Sequence, residues 1–118
     1  MKTKILLLLS IILTIGFYFF KFSKPDFSSK IYNQKEWRNN PKSRILMASN
    51  IIDSKILIGK DSLEITNELG FSHEDIKNNN WKFLLGHDGY LNPKFYFLKL
   101  HFKNKKVDSV YIEIVNDN

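Results

Sequence analysis

Gly59-Lys60, with Ser62 close behind, looks like the tail of a phosphate-binding loop. Such a loop has a glycine five positions ahead of its Gly-Lys pair and a serine or threonine directly after the lysine. Backbone N–H groups then cradle phosphate and the hydroxyl reaches magnesium. In this chain Ser54 stands at the first of those positions and Asp61 at the last, where its charge would repel phosphate. The same residues satisfy another pattern. Asp61 can accept from the free N–H groups of a helix starting behind it, and Glu64, three residues on, can reach back to the cap. Ile65 and Leu69 then share one helical face, and Gly70 stops the helix in the left-handed conformation. Gly59-Lys60 therefore reads as a turn before a capped helix, and nucleotide binding is set aside.

The other residues able to do chemistry are scattered. His73, His87 and His101 lie far apart, and none has a partner at a ligand spacing such as His-x-x-x-His. His87-Asp88 could act as a catalytic pair only with a nucleophile that the sequence does not nominate, and both read as turn residues. His73-Glu74-Asp75 reads as a helix start, where acidic side chains favour the dipole. The chain has no cysteine. That excludes a disulfide framework, a thiolate nucleophile, a cysteine-based zinc site and a thiol-linked lipid anchor. The expectation is a protein that is not an enzyme, with no catalytic residues, no cofactor and no metal.

Residues 5–20, ILLLLSIILTIGFYFF, carry no charge, and every acidic residue follows them. Lys2 and Lys4 precede the run, which is the layout of a signal sequence or signal anchor. As a helix it would span ~24 Å. Lys4 and Lys21 can snorkel, Phe22 extends the apolar face, and Phe17 to Phe20 resemble an interfacial aromatic belt. Thr14-Ile15-Gly16 offers small residues for cleavage, but inside the apolar run, so residues 1–22 read as an uncleaved anchor. The expected partner of residues 5–20 is membrane lipid, with the chain crossing once and the following domain outside the cytoplasm. Lys2 and Lys4 aside, the basic excess is mild and spread along the chain. No basic stripe with interleaved aromatics is present, so nucleic acid is not an expected partner.

Residues 23–40 are polar with scattered aromatics and read as a tether, with Trp37 covering the edge of the core. Residues 41–118 then form a small domain. Asn40-Pro41 starts a helix, since asparagine caps well and proline is tolerated at the first helical position. Its apolar face comes from Arg44, Met47 and Ile51 with Ile45, Ala48 and Ile52, and it ends near Asp53-Ser54. The capped helix from Asp61 to Gly70 is second. Ser72 could cap one further short turn. Trp81 to Leu85 reads as a strand closed by the turn residues Gly86 to Gly89. In FYFLKLHF, residues 95–102, Tyr96, Leu98, Leu100 and Phe102 share one face, with Phe95, Phe97, Lys99 and His101 on the other. Val110, Ile112 and Ile114 alternate in the same way with Tyr111 and Glu113. A loop of Asn104, Lys105 and Lys106 pairs residue 103 with 107, setting Leu100 against Val110 and Leu98 against Ile112. Both apolar faces then lie on the same side. The expected fold class is α+β: an N-terminal membrane helix followed by a two-layer domain of two helices on a three-stranded antiparallel sheet.

This order, with Trp37, then Arg44, Met47 and Ile51, then Leu57, Gly59, Lys60, Glu64, Ile65, Leu69 and Gly70, then Phe83, Leu85, Gly86, Leu98, Leu100 and Phe102, resembles small bacterial envelope proteins of the BamE (SmpA/OmlA) type. The likeness covers roughly residues 37 to 115. Asn50 replaces an aspartate of that pattern, Asp61 replaces a serine or threonine, and the lipid-bearing cysteine is missing. The resemblance implies a non-catalytic envelope domain that works through contacts with another envelope protein. The contact face expected from the residues themselves is the outward strand face: Phe95, Phe97, Lys99 and Tyr111, aromatics beside charges. The alternative expectation is a lipid- or small-molecule-binding domain at the membrane surface, with its pocket between helices and sheet.

Overall fold

The alternation in the last third of the chain becomes a long antiparallel hairpin, and the rest of the domain is arranged on it. The structure is a computed structural model, which describes residues 25–75, 79–89 and 91–116. The elements are α1 (Gln34–Asn39), a 3-10 turn (Pro41–Ser43), α2 (Arg44–Ser54), α3 (Ser62–Leu69), β1 (His73–Asp75), β2 (Asn80–Asp88), β3 (Lys94–Lys103) and β4 (Lys106–Asn116). The strands form one antiparallel sheet in the order β1-β2-β3-β4. The α+β class is the expected one, and its three long strands are joined by a short fourth at the edge. None of the described helices is long and apolar enough to cross a membrane. The expected membrane helix lies outside the described residues.

Leu100 opposes Val110 and Leu98 opposes Ile112, the expected register. The turn that delivers it differs. Lys103 pairs with Lys106, so the connection is two residues long, with Asn104 at φ 52° and Lys105 at φ 68°. Positive φ at both central residues gives a turn whose twist matches that of paired strands. Phe102 opposes Val107 while His101 opposes Ser109, which leaves Asp108 as an extra residue. The bulge restores the register that the shorter turn would have shifted. Tyr96, Leu98, Leu100 and Phe102 are buried and meet Phe83, Leu85 and Val107 in the core.

α2 lays Met47, Ala48 and Ile51 into that core, with Ile45 and Ile52 at its margin. It ends at Ser54, and Lys55 adopts the left-handed conformation behind it. Asn40 holds the preceding 3-10 turn by donating from its side-chain amide to Ser43 Oγ at 2.8 Å, rather than by accepting from the backbone. α3 carries the full capping box. Asp61 Oδ1 accepts the Glu64 N–H at 2.9 Å, and Glu64 Oε1 accepts the Asp61 N–H at 3.4 Å. Gly70 has the expected positive φ, 87°, but ψ −161° puts it in a glycine-only extended region rather than the left-handed helical one.

Three further expectations are corrected. The tether expected over residues 23–40 is folded for much of its length. Asn33 Oδ1 caps α1 at the Glu36 N–H, and Trp37 is fully buried with Nε1 donating to the Leu69 carbonyl at 3.0 Å. A six-residue helix does not form alone; here Gln34 and Arg38 also donate to the Asn67 carbonyl at the end of α3. The short helical turn expected after Ser72 is instead β1, whose His73, Glu74 and Asp75 oppose Lys82, Trp81 and Asn80. The free edge of β2 offers backbone partners that outweigh a weak local helix signal. Gly86, His87 and Asp88, read as a turn, continue β2 past a bulge at Leu85. Gly86 lies beside Ile45, where an added Cβ would make only an ordinary contact with Ile45 Cδ1 at 3.7 Å.

Candidate functional site

The helices cover one face of the sheet. The other face carries every outward residue of β3, and among the described residues no helix packs on it. Phe95, Phe97, Lys99 and His101 alternate with the four buried residues of β3, as period two requires. Pairing brings neighbours on both sides. Phe95 lies between His87 and Val115, Phe97 between Leu84 and Glu113, and Lys99 between Lys82 and Tyr111. The expected contact residues Phe95, Phe97, Lys99 and Tyr111 therefore share one continuous surface.

Its charges are held in fixed places. Lys99 Nζ donates to Glu113 Oε2 at 2.6 Å, diagonally across the strand pair, and lies 5.9 Å from the centre of the Tyr111 ring. The Glu113 carboxylate raises the Lys99 ammonium above its ordinary pKa, against the opposing pull of desolvation. Lys82 Nζ stands 4.7 Å over the centre of the Phe97 ring, a cation–π arrangement. The His87 and Phe95 rings lie 5.8 Å apart. Along the sheet, His101 Nδ1 and Asp108 Oδ1 are 2.6 Å apart, so the bulge residue is tied back to the strand it faces. That hydrogen bond lowers the Asp108 pKa.

The apolar part of this surface is exposed at its flanks, with Phe95 and Phe97 half-buried between them. Tyr111 is 43 % accessible, Leu84 42 % and Val115 36 %. A shallow depression between Lys82, Phe95, Phe97, Val115 and Asn116 marks its Phe95 end. Lys82, Leu84 and Val115 were not among the expected contact residues. The signal for Val115 was in the sequence, as the next step of the Tyr111–Glu113 alternation. Lys82 and Leu84 required the pairing of β2 with β3, whose Leu85 bulge breaks simple counting.

The catalytic readings meet no assembled constellation among the described residues. His87 packs on Phe95, whereas Asp88 Oδ2 accepts the Tyr96 hydroxyl at 2.8 Å, so these adjacent residues serve different partners. His87 opposes Phe95 and His101 lies six residues farther along β3, ~20 Å away. No group of three possible metal ligands occurs among the described residues. The space between helices and sheet is filled by Trp37, Met47, Ile51, Leu98 and Leu100. The larger cleft, about 580 Å³, opens instead at the hairpin end, between Asp61 to Leu63, Trp81, Phe102 and Asn104 to Lys106.

Gly59 and Lys60 also have a settled place. Gly59 donates its N–H to the Val107 carbonyl at 2.8 Å, and Val107 donates to the Lys60 carbonyl at 2.9 Å. Their backbone is engaged with β4 and their loop serves α3, with Asp61 bridging to Lys106. The chain matches no protein-family model, no curated protein and no solved structure.

Proposed function

We propose that this chain is a single-pass membrane protein of the cell envelope, with an extracytoplasmic domain that binds another protein through the outer face of its sheet. The observation that carries the reading is the continuous strip of Phe95, Phe97, Lys99 and Tyr111, extended by Lys82, Leu84 and Val115, on a face no described helix covers. Aromatics at the centre with paired charges beside them are the composition of protein interfaces. A partner laid over this strip would desolvate Phe97 and Tyr111 while leaving the Lys99–Glu113 pair intact. The uncharged run over residues 5–20 supports the anchor. The resemblance to BamE-type envelope domains supports a non-catalytic role.

The test is a pair of substitutions, Phe97→Ala and Lys99→Ala, in the tagged full chain. Both should leave the unfolding transition nearly unchanged and deplete proteins captured by cross-linking in intact cells. An unchanged set of captured proteins would sink the assignment of this face. Sidedness is read separately. A single cysteine added after Asn118 should react with a membrane-impermeant maleimide before the inner membrane is broken. Reaction only after lysis would place the domain in the cytoplasm. In the second reading, a small-molecule binder, the hairpin-end cleft beside Trp81 and Phe102 is the seat, because the space between the layers is filled.

A further inference from the structure

The chain enters the domain at one pole of the sheet. Phe27 accepts the Ser49 N–H at 2.8 Å through its carbonyl, Lys30 donates to the Leu46 carbonyl at 3.1 Å, and the Phe27 ring meets Tyr96 edge-on at 5.5 Å. Tyr96 is the third residue of β3 and opposes Gly86 and Ile114. Two residues beyond it, β2 ends, β3 begins and β4 ends, at Asp88, Lys94 and Asn116. The connection from β2 to β3 projects from this same pole. Leu91 stands there 95 % exposed, with Lys94 also exposed beside it. The Asn104-Lys105 turn is at the opposite pole, the length of β3 away, ~30 Å.

Phe22 closes the apolar N-terminal stretch, and Phe27 is already held to the domain. Five residues span at most ~17 Å fully extended. A domain leashed this closely keeps its entry pole near the bilayer, and a tethered contact forms at high effective concentration, so one apolar side chain is enough to bias orientation. An isolated exposed leucine on a surface is ordinary. A leucine at the tip of the loop nearest the anchor, with a lysine beside it, has the arrangement of an interfacial lipid contact.

We propose that the entry pole rests on the lipid surface, with Leu91 in the boundary between headgroups and acyl chains and Lys94 at the phosphates. This deepens the membrane-anchored reading and rests on it. The sheet then stands away from the bilayer. The Asn104-Lys105 turn and the cleft beside Trp81 lie at the distal pole, and the Phe97–Lys99 strip is presented sideways to a partner in the same membrane.

The absence of cysteine makes the test direct. The full chain, carrying one cysteine at Ser10, Asn92 or Lys105 and labelled there with the fluorophore NBD, is reconstituted into phosphatidylcholine/phosphatidylethanolamine vesicles containing doxyl-labelled lipid. The expected result is quenching at Ser10→Cys and at Asn92→Cys, with Lys105→Cys as bright as without doxyl lipid. Adding Leu91→Asp to the Asn92→Cys chain should relieve the quenching while Ser10→Cys stays quenched. If Ser10→Cys is quenched and Asn92→Cys is not, the anchor stands and the lipid contact is overturned. Equal quenching at Asn92→Cys and Lys105→Cys overturns the orientation. Quenching of Asn92→Cys that survives Leu91→Asp overturns the role of Leu91. An unquenched Ser10→Cys overturns the anchor and this proposal together.

Discussion

Gly59 and Val107, far apart in sequence, are joined by a backbone hydrogen bond of 2.8 Å, with a second from Val107 to the Lys60 carbonyl at 2.9 Å. The turn before α3 is thereby clamped to the start of β4. Gly59 holds φ +83°, and a Cβ there would meet nothing within 4 Å. The demand for glycine is therefore conformational, not steric. Gly59→Ala should lower stability by about 1–2 kcal/mol. Lys60→Ala, which removes only a 3.7 Å surface ion pair with Glu68, should cost under about 0.5 kcal/mol. Urea unfolding of the two variants checks the contrast. Equal losses would mean that the lysine side chain matters as much as the glycine backbone.

Trp37 links the N-terminal segment to the core. It is fully buried, meets Phe83 edge-on at 6.2 Å, carries the Arg44 guanidinium 5.0 Å from its ring centre and donates to the Leu69 carbonyl. Trp37→Ala should cost about 3–5 kcal/mol, and Trp37→Phe less, since it keeps most of the packing and loses the hydrogen bond. Thermal melting would show it. A small loss at Trp37→Ala would return residues 25–40 to the status of a tether.

Lys105 occupies a positive-φ position, 68°, in a two-residue hairpin turn after Asn104. Asn-Gly is the favoured sequence for that geometry. Lys105→Gly should therefore stabilise the domain by about 0.5–1 kcal/mol, where most single changes destabilise. A lower midpoint in urea would contradict the turn assignment.

Tyr96 gives a pH signature. Burial, then the hydrogen bond to Asp88, raise its pKa from 10.0 to about 12. The folded state holds the proton where the unfolded chain has released it. This contribution to stability is complete below pH ~10 and is lost as pH rises towards ~12. Tyr96→Phe removes the titrating group, so its stability should fall less steeply over that window than the parent's. Parallel urea midpoints measured across it decide the matter, and identical slopes would refute the assignment.

The hairpin and the capped helix α3 were readable because their signals are short-range. The alternation of Tyr96, Leu98, Leu100 and Phe102 marks a half-buried strand wherever it occurs, and Asp61 with Glu64 marks a helix start within four residues. The outward strip of Phe95, Phe97, Lys99 and Tyr111 followed from the same alternation. Elements that depend on a distant partner were not legible. Gln34–Asn39 is too short to be helical alone and acquires its reason only when Trp37 finds Leu69 and Phe83. His73–Asp75 carries local helix-start chemistry, and the edge of β2 decides against it. Lys82 and Leu84 join the candidate site through a pairing that the Leu85 bulge displaces.

The sequence by itself therefore determined the uncharged N-terminal run, the α+β class, the hairpin register and the reading of Gly59-Lys60 as a turn, because each depends on periodicity or capping within a few residues. Only the tertiary structure decided that Trp37 is fully buried rather than covering the edge of the core, that a fourth strand closes one edge, that Gly59 is tied to Val107 and that Phe27 packs on Tyr96. Burial and sheet-edge pairing set these, and both depend on surfaces that exist only once the other elements are in place.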